Sequence, residues 1–224
     1  HFVGRWTFEL DSPGGSLPFV VELDSKGGGA LVDAHEVLPF SKVEIQDGRV
    51  RLELEHYDSV LEGTFREQAD GMPVMQGVWT RRSPGKGATT KMTFTASRSD
   101  DWATLDMSPP TEDFGGRWRL VFSEEDGSTY RGLARLKTVR PEGEPPRIEG
   151  TILTDTGDYR YLEGTFNDGQ LQLSVFDGAH AFLFRAKRDT QGKLTGDFWS
   201  RDAYHATFEG TPLADDEADG LGDP

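Results

Sequence analysis

The feature that most constrains this chain is the alternation of apolar and polar side chains with a period of two. In residues 6–10, Trp, Phe and Leu alternate with Thr and Glu, and in residues 50–54, Val and Leu alternate with Arg and Glu. Successive side chains of a strand point to opposite faces, so this pattern predicts half-buried antiparallel strands. Turns rich in Gly, Pro and Asp separate the runs, and no long segment keeps a helical stripe. We therefore predict an all-β chain with little helix.

The second half of the sequence repeats the first. Gly4-Arg5-Trp6 recurs as Gly116-Arg117-Trp118, and later matches follow in the same order, 112 to 121 residues apart. Such spacing predicts duplication. The pentapeptide Leu-Glu-Gly-Thr-Phe at 61–65 and 162–166 has a different offset, so we interpret it as coincidental. The predicted organisation is a first β module at 1–99, a linker at 100–111, a second β module at 112–213 and an acidic tail or linker at 214–224.

Each module has room for about eight strands joined mainly by sequential hairpins. This favours two up-and-down, barrel-like modules, because closing the sheet removes its exposed edges. The repeated Gly-Arg-Trp opening resembles the Gly-x-Trp of lipocalin- and avidin-like barrels. In those barrels the Trp closes the bottom and a basic side chain covers it.

Composition narrows the range of partners. The net charge of -15 argues against a nucleic-acid partner, because phosphate binding needs clustered Lys and Arg. The sequence has no cysteine, which excludes disulfides and thiolate metal sites within it. It also contains no apolar run of the roughly 20 residues that a transmembrane helix needs. Because the chain starts abruptly at His1 in a strand pattern, we interpret it as a trimmed or processed product.

Three stretches of the second half carry a more specific likeness: Phe122–Tyr130, Thr154–Gly164 and Leu173–Phe184. Together they resemble the N-terminal, non-thioredoxin region of exported TlpA-like redoxin proteins. In that family a duplicated β region precedes a thioredoxin-fold domain with a Cys-x-x-Cys motif. The likeness covers most of the chain and is strongest over residues 116–209.

This resemblance implies an extracytoplasmic location, either periplasmic or secreted. One form of such a protein is anchored to the membrane through a segment before His1. Without cysteine, no redox residue carries over. The implied role is a non-catalytic accessory module for positioning or partner recognition. Its partner would be a C-terminal thioredoxin-like domain of the parent chain or another envelope protein.

His180 is the main candidate for a site. Alternation places it on one face with Phe182 and Phe184, and Asp177 precedes it at a glycine bend, which would form the polar end of a ligand pocket. The alternative is a structural histidine held by Asp177 or by a backbone carbonyl. The ligand-binding candidates are Asp177, His180, Trp199, Tyr204 and His205.

A small-molecule or carbohydrate-binding barrel that uses these residues is the second functional hypothesis. A third is a hydrolase built on carboxylates among Glu62, Glu163, Asp177 and Asp202, although nothing in their spacing selects a pair. Trp79 and Trp199 are interpreted as equivalent, either as a sugar-stacking surface or as packing residues. The histidine spacing predicts no metal site, and no cofactor motif is present. We therefore expect a protein that is not an enzyme.

Overall fold

The computed structural model describes residues 2–33, 36–67, 72–82, 89–98, 109–214 and 216–218. Within these ranges the chain forms strands and one short 3-10 helix, Glu55–Tyr57, and no α-helix. No helix there is long and apolar enough to cross a membrane. The predicted fold class is confirmed, because the chain forms two tandem antiparallel, barrel-like modules.

The chain divides into two compact units. Unit 1 consists of His1–Asp106 and Phe176–Ala181, and unit 2 consists of Met107–Val175 and Phe182–Pro224. The predicted second module, 112–213, therefore contains a short segment that packs within unit 1. Most of the predicted linker lies outside the described residues.

Unit 1 contains one antiparallel sheet in the order β4-β3-β2-β1-β9-β8-β7-β6-β5. Its edge strands β4 and β5 follow each other in the chain. Between them, the Phe40 amide donates to the Gly29 carbonyl (2.9 Å) and the Ser41 amide donates to the Glu53 carbonyl (2.8 Å). The sheet thus curls back on itself to form a half-barrel. Its strands are β1 Gly4–Ser12, β2 Gly15–Leu23, β3 Gly29–Val32, β4 Val37–Pro39, β5 Lys42–Gln46, β6 Arg49–Leu54, β7 Ser59–Glu67, β8 Pro73–Arg82 and β9 Thr89–Arg98.

Unit 2 is a closed barrel of eight strands. Its sheet runs β11-β10-β18-β17-β16-β15-β14-β12-β13, and an additional pairing of β11 with β12 closes a ring of eight strands. The ninth strand, the two-residue β13, pairs with β12 and lies outside the ring. A barrel of eight strands has an interior that side chains can fill. Its strands are β10 Gly116–Glu124, β11 Thr129–Val139, β12 Arg147–Thr154, β13 Gly157–Asp158, β14 Leu162–Asn167, β15 Gln170–Phe176, β16 Ala181–Arg188, β17 Leu194–Ser200 and β18 Tyr204–Leu213.

The two Gly-Arg-Trp motifs occupy matching places in their own units. Trp6 and Trp118 are buried on the first strand of each sheet. The indole N–H of Trp6 donates to the Phe2 carbonyl (3.0 Å), and that of Trp118 donates to the Gly115 carbonyl (3.3 Å). Each Trp thus satisfies its polar group through the backbone just before the first strand.

Phenylalanine rings accompany both tryptophans at the same end of each module. In unit 1, Phe65 packs against Phe2 at 4.2 Å between ring centroids, and in unit 2, Phe166 packs against Phe114 at 4.5 Å. The guanidinium of Arg188 lies over the Phe166 ring at 4.5 Å, so a basic side chain covers this end of unit 2. The Gly-x-Trp resemblance implies a basic side chain over the Trp itself, whereas Arg188 lies over the neighbouring Phe114 and Phe166 rings.

Strand register corrects one sequence equivalence. Gly77 pairs with Phe94 and Gly196 pairs with Phe208, so these glycines correspond. Two residues further along each strand, the equivalent of Trp79 is Phe198. Trp199 lies on the opposite face of its strand, because side chains alternate from one face to the other. The predicted equivalence of Trp79 and Trp199 was therefore wrong by one residue.

Candidate functional site

Phenylalanine rings fill the interior of the unit 2 barrel. Phe122, Phe184 and Phe198 are at most 1% exposed. Phe184 and Phe198 stack with ring centroids 4.3 Å apart, while Phe182 packs against Phe198 at 5.6 Å. The edges and faces of these rings therefore meet in the arrangements that aromatic side chains prefer.

One end of this barrel carries a group of tyrosines, which we call the tyrosine cluster: Tyr130, Tyr159 and Tyr204 with Glu124. Glu124 is the last residue of β10, Tyr130 lies at the start of β11, Tyr159 follows β13, and Tyr204 begins β18. In an antiparallel meander every second turn returns to the same end. Topology therefore brings together side chains that are up to 80 residues apart in sequence.

Hydrogen bonds join the members of the tyrosine cluster. The Tyr204 hydroxyl donates to Glu124 Oε1 at 2.5 Å, and Glu124 Oε2 accepts from the Ser128 hydroxyl at 3.1 Å. The hydroxyls of Tyr204 and Tyr130 lie 3.2 Å apart, and those of Tyr130 and Tyr159 lie 2.9 Å apart. The three tyrosines are partly buried and pack against the phenylalanine core.

The environment keeps these phenols protonated. Burial together with the hydrogen bond to Glu124 raises the pKa of Tyr204 to about 12. Burial also raises the pKa of Tyr130 and of Tyr159 above the ordinary phenol value. Ionising any of them would place a negative charge in a partly desolvated site that already holds a carboxylate. The cluster therefore presents neutral phenols and one carboxyl group.

Asp177 and His180 form a separate, tightly bonded turn within unit 1. Asp177 is 3% exposed, and its Oδ1 accepts from the amides of Ala179 (2.9 Å) and His180 (2.6 Å). Its Oδ2 lies 2.9 Å from His180 Nδ1. Burial opposes ionisation of Asp177, but the bonds and charge of His180 and the two amides outweigh it and hold its pKa at about 2.

Neighbouring residues fix the position of this turn in unit 1. Phe176 stacks on Phe19 at 4.1 Å and meets Trp79 edge-on at 5.0 Å. Gly178 has a φ of +81°, and a Cβ there would lie 2.2 Å from Leu54 Cδ1, so only glycine fits. His180 precedes β16 instead of lying in it, so the predicted alternation with Phe182 and Phe184 does not extend to it. This geometry agrees with the alternative interpretation, in which His180 is a structural histidine held by Asp177.

Trp199 and His205 are neighbours on the other face of the unit 2 sheet. Their rings stack at 5.4 Å, and His205 Nε2 lies 2.9 Å from Asp197 Oδ1. Of the five predicted ligand-binding residues, Tyr204 belongs to the tyrosine cluster, Trp199 and His205 form this surface pair, and Asp177 and His180 form the turn in unit 1. Sequence reasoning missed Glu124, Tyr130 and Tyr159. Counting alternate turns of the meander would have placed them at the same end of the module as Tyr204, although it would not have shown that they make contact.

The carboxylates proposed for hydrolysis are dispersed. Glu62 bonds to Arg51 in unit 1, Asp177 is held in its turn, and Glu163 in unit 2 lies 3.9 Å from Arg147. Among the residues that the structure describes, no group of three or more His, Cys, Asp or Glu side chains is arranged to hold a metal ion.

Open cavities lie along the part of unit 1 that the structure describes. One, of about 1130 Å³, runs along β5–β8 and is lined by residues that include Arg49, Arg51 and Glu62. Another, of about 610 Å³, lies beside Gly4 and Glu22. Neither is lined by the predicted ligand-binding residues.

Comparison with known proteins gives little further information. No family model matches the chain, and no curated protein matches it. Among solved structures, the chain is similar to a crystal structure of a protein with unknown function from the DUF3598 family of Nostoc punctiforme PCC 73102. The two are 14% identical, the match covers 93% of this chain and 94% of that one, and the TM-score is 0.28. A likeness at this score carries no argument about function.

Proposed function

We propose that the second barrel is a non-catalytic binding module that takes a small molecule at its tyrosine cluster. The observation that carries this proposal is the hydrogen-bonded network of three phenols and one carboxylate above an aromatic interior. Small-molecule sites combine apolar and aromatic surface with a few convergent polar groups, and groups with perturbed pKa values concentrate at such sites. Here the polar groups come from three separate turns.

The packing of the interior limits the form of this ligand. Phe122, Phe184 and Phe198 are almost fully buried, whereas Tyr130, Tyr159 and Tyr204 are only partly covered. The accessible aromatic surface is therefore that of the tyrosines. The ligand would therefore contact these rings at the end of the barrel that carries the cluster, and it would not enter the filled interior.

Nuclear magnetic resonance of the full chain tests this proposal with three probes: choline, sodium benzoate and glucose. We expect at least one probe to shift the backbone amide signals around Tyr130 and Tyr204. The substitution Tyr159→Phe, which removes one hydroxyl and keeps the ring, should weaken that response. If none of the probes moves these signals at millimolar concentration, the proposal is wrong.

The accessory role beside a redoxin is the second candidate, and one observation favours it. The three stretches that resemble TlpA-like redoxin proteins supply Glu124, Tyr130, Tyr159, Phe182 and Phe184. The resembling residues therefore converge on the tyrosine cluster and its aromatic support. In this proposal the module is extracytoplasmic, and the cluster recognises part of the thioredoxin-like partner.

The sequence of the parent open reading frame after Pro224 tests the second candidate. A thioredoxin-like domain with a Cys-x-x-Cys motif is expected there. If an unrelated domain follows, and no redoxin gene lies next to the parent gene, this candidate is rejected.

A further inference from the structure

The hydrogen bond to Glu124 determines how the tyrosine cluster uses its protons. A protonated phenol has one hydrogen to donate. The 2.5 Å bond to the Glu124 carboxylate is charge-assisted and stronger than the 3.2 Å contact with Tyr130, so it takes the Tyr204 proton. Tyr130 and Tyr159 share one further hydrogen bond of 2.9 Å, in which either hydroxyl can be the donor. Glu124, which also accepts from the Ser128 hydroxyl, is therefore the charged acceptor of this network.

This network determines what the tyrosine cluster offers a ligand. Its phenol and carboxylate oxygens have lone pairs that can accept hydrogen bonds, and its one charged group is the Glu124 carboxylate. A ligand that carries positive charge and donates protons is complemented by these groups, whereas a carboxylate or phosphate would be repelled by Glu124.

The aromatic rings favour the same class of ligand. Ring centroids of Phe182 and Phe198 lie 5.2 and 4.8 Å from that of Tyr159, and Tyr204 lies 5.7 Å from Phe198. Aromatic faces carry partial negative charge and attract cations, and groups of such rings recognise quaternary ammonium ions. A cation resting on the cluster would interact with the accessible tyrosine rings and with Glu124 together, while the buried phenylalanines hold the tyrosine rings in place.

The charge of the surrounding turns adds a longer-range attraction for cations. Residues 124–128, 154–161 and 200–204, which form three turns at this end of the barrel, contain six acidic residues against two arginines. Carboxylates gathered around a site raise the local concentration of cations. The acidic residues are Glu124, Glu125, Asp126, Asp155, Asp158 and Asp202, and the arginines are Arg160 and Arg201.

We infer that the tyrosine cluster of the second barrel binds a small organic cation, that is, a protonated or quaternary amine. This inference rests on the proposed function and adds the ligand class to it. The juxtaposition that supports it is a phenol network ending on the Glu124 carboxylate beside a group of aromatic rings.

Choline and 3,3-dimethyl-1-butanol test the inference, because they share a shape and differ in charge. In titrations of the full chain followed by nuclear magnetic resonance, choline should shift the amides around Tyr130 and Tyr204. The neutral alcohol should bind about tenfold more weakly, which corresponds to about 1.4 kcal/mol for the lost cation interactions. Glu124→Gln, which keeps an acceptor oxygen and removes the charge, should weaken choline binding by a similar factor.

Glu125→Gln is the matched control. Glu125 is the next residue in the chain and its side chain is exposed, so this substitution removes the same charge without touching the cluster. If contact with Glu124 matters more than overall charge, the affinity for choline should stay within about twofold. Equal binding of the alcohol and choline, or equal effects of the two substitutions, would overturn the assignment of ligand class.

A response at the cluster to benzoate or glucose, with none to choline, would also overturn the ligand class, while small-molecule binding at the cluster would stand. If none of the four probes shifts the amide signals around Tyr130 and Tyr204, both the ligand class and the proposed function are rejected.

Discussion

Replacing Asp177 by Asn should remove a measurable part of the stability of unit 1. The asparagine keeps an oxygen that can accept from the Ala179 and His180 amides, but it loses the negative charge facing His180 Nδ1. The carboxyl of Asp177 has a pKa of about 2 in the folded protein against an ordinary value of 3.8. Because one pKa unit is equivalent to about 1.4 kcal/mol, ionised Asp177 contributes about 2 kcal/mol at neutral pH.

The sign of this contribution defines its pH dependence. The pKa of Asp177 is lower in the folded state, so its stabilisation is fully present above pH 3.8 and is lost as the pH falls towards 2. Protonated Asp177 resembles asparagine. The difference in opening free energy between wild type and Asp177→Asn should therefore be about 2 kcal/mol at pH 7 and should shrink towards zero near pH 2.

Amide hydrogen exchange at Ala179 and His180 measures this opening free energy locally. Asp126→Asn serves as a control, because Asp126 accepts from the Ser128 amide (2.8 Å) in a similar turn but is exposed to solvent. Its effect should be much smaller. A difference for Asp177→Asn that is the same at pH 7 and pH 2.5 would refute the argument, since the loss would then not arise from charge.

Two further predictions concern unit 2. Phe198→Ala should lower the free energy of unfolding by about 3–5 kcal/mol, because Phe198 is a buried core ring. Trp199→Ala, on the opposite face of the strand, should lower it by less than about 1 kcal/mol. Urea denaturation measures both values, and a larger loss for Trp199→Ala would contradict the equivalence of Trp79 and Phe198. Tyr204→Phe should remove a component near pH 12 from the ultraviolet phenol titration. The pKa of Tyr204 is raised in the folded state, so the free energy of unfolding of the wild type should fall relative to that of the variant as the pH rises from 10 through 12. If the phenol that the substitution removes titrates near pH 10 instead, the prediction is wrong.

Much of the architecture could be predicted because it depends on local pattern. The alternation in residues 6–10 and 50–54 reappears as buried positions on β1 and β6. The Asp47-Gly48 and Asp168-Gly169 pairs both adopt positive φ, as tight hairpin turns between twisted strands require. The coincidental pentapeptide lies on β7 in one module and on β14 in the other, which occupy different places in their sheets.

The candidate site was predicted less well. Tyr204 was selected beside Trp199 and His205, yet Trp199 and His205 lie on the opposite face of the sheet from the core residue Phe198. His180 was assigned to a strand face on the basis of alternation, but Gly178 and the bonds of Asp177 hold it in a turn. Alternation applies within a strand, and it gives no information once a glycine with positive φ interrupts the strand.

By itself, the sequence determined the strands and the turns between them, because each of these follows from residues close together in the chain. Only the tertiary structure decided that β11 pairs with β12 to close the second barrel. It also decided that Glu124, Tyr130, Tyr159 and Tyr204 meet. The physical reason is that barrel closure brings every second turn to one end, and the resulting contacts depend on strand order and register, which local pattern does not encode.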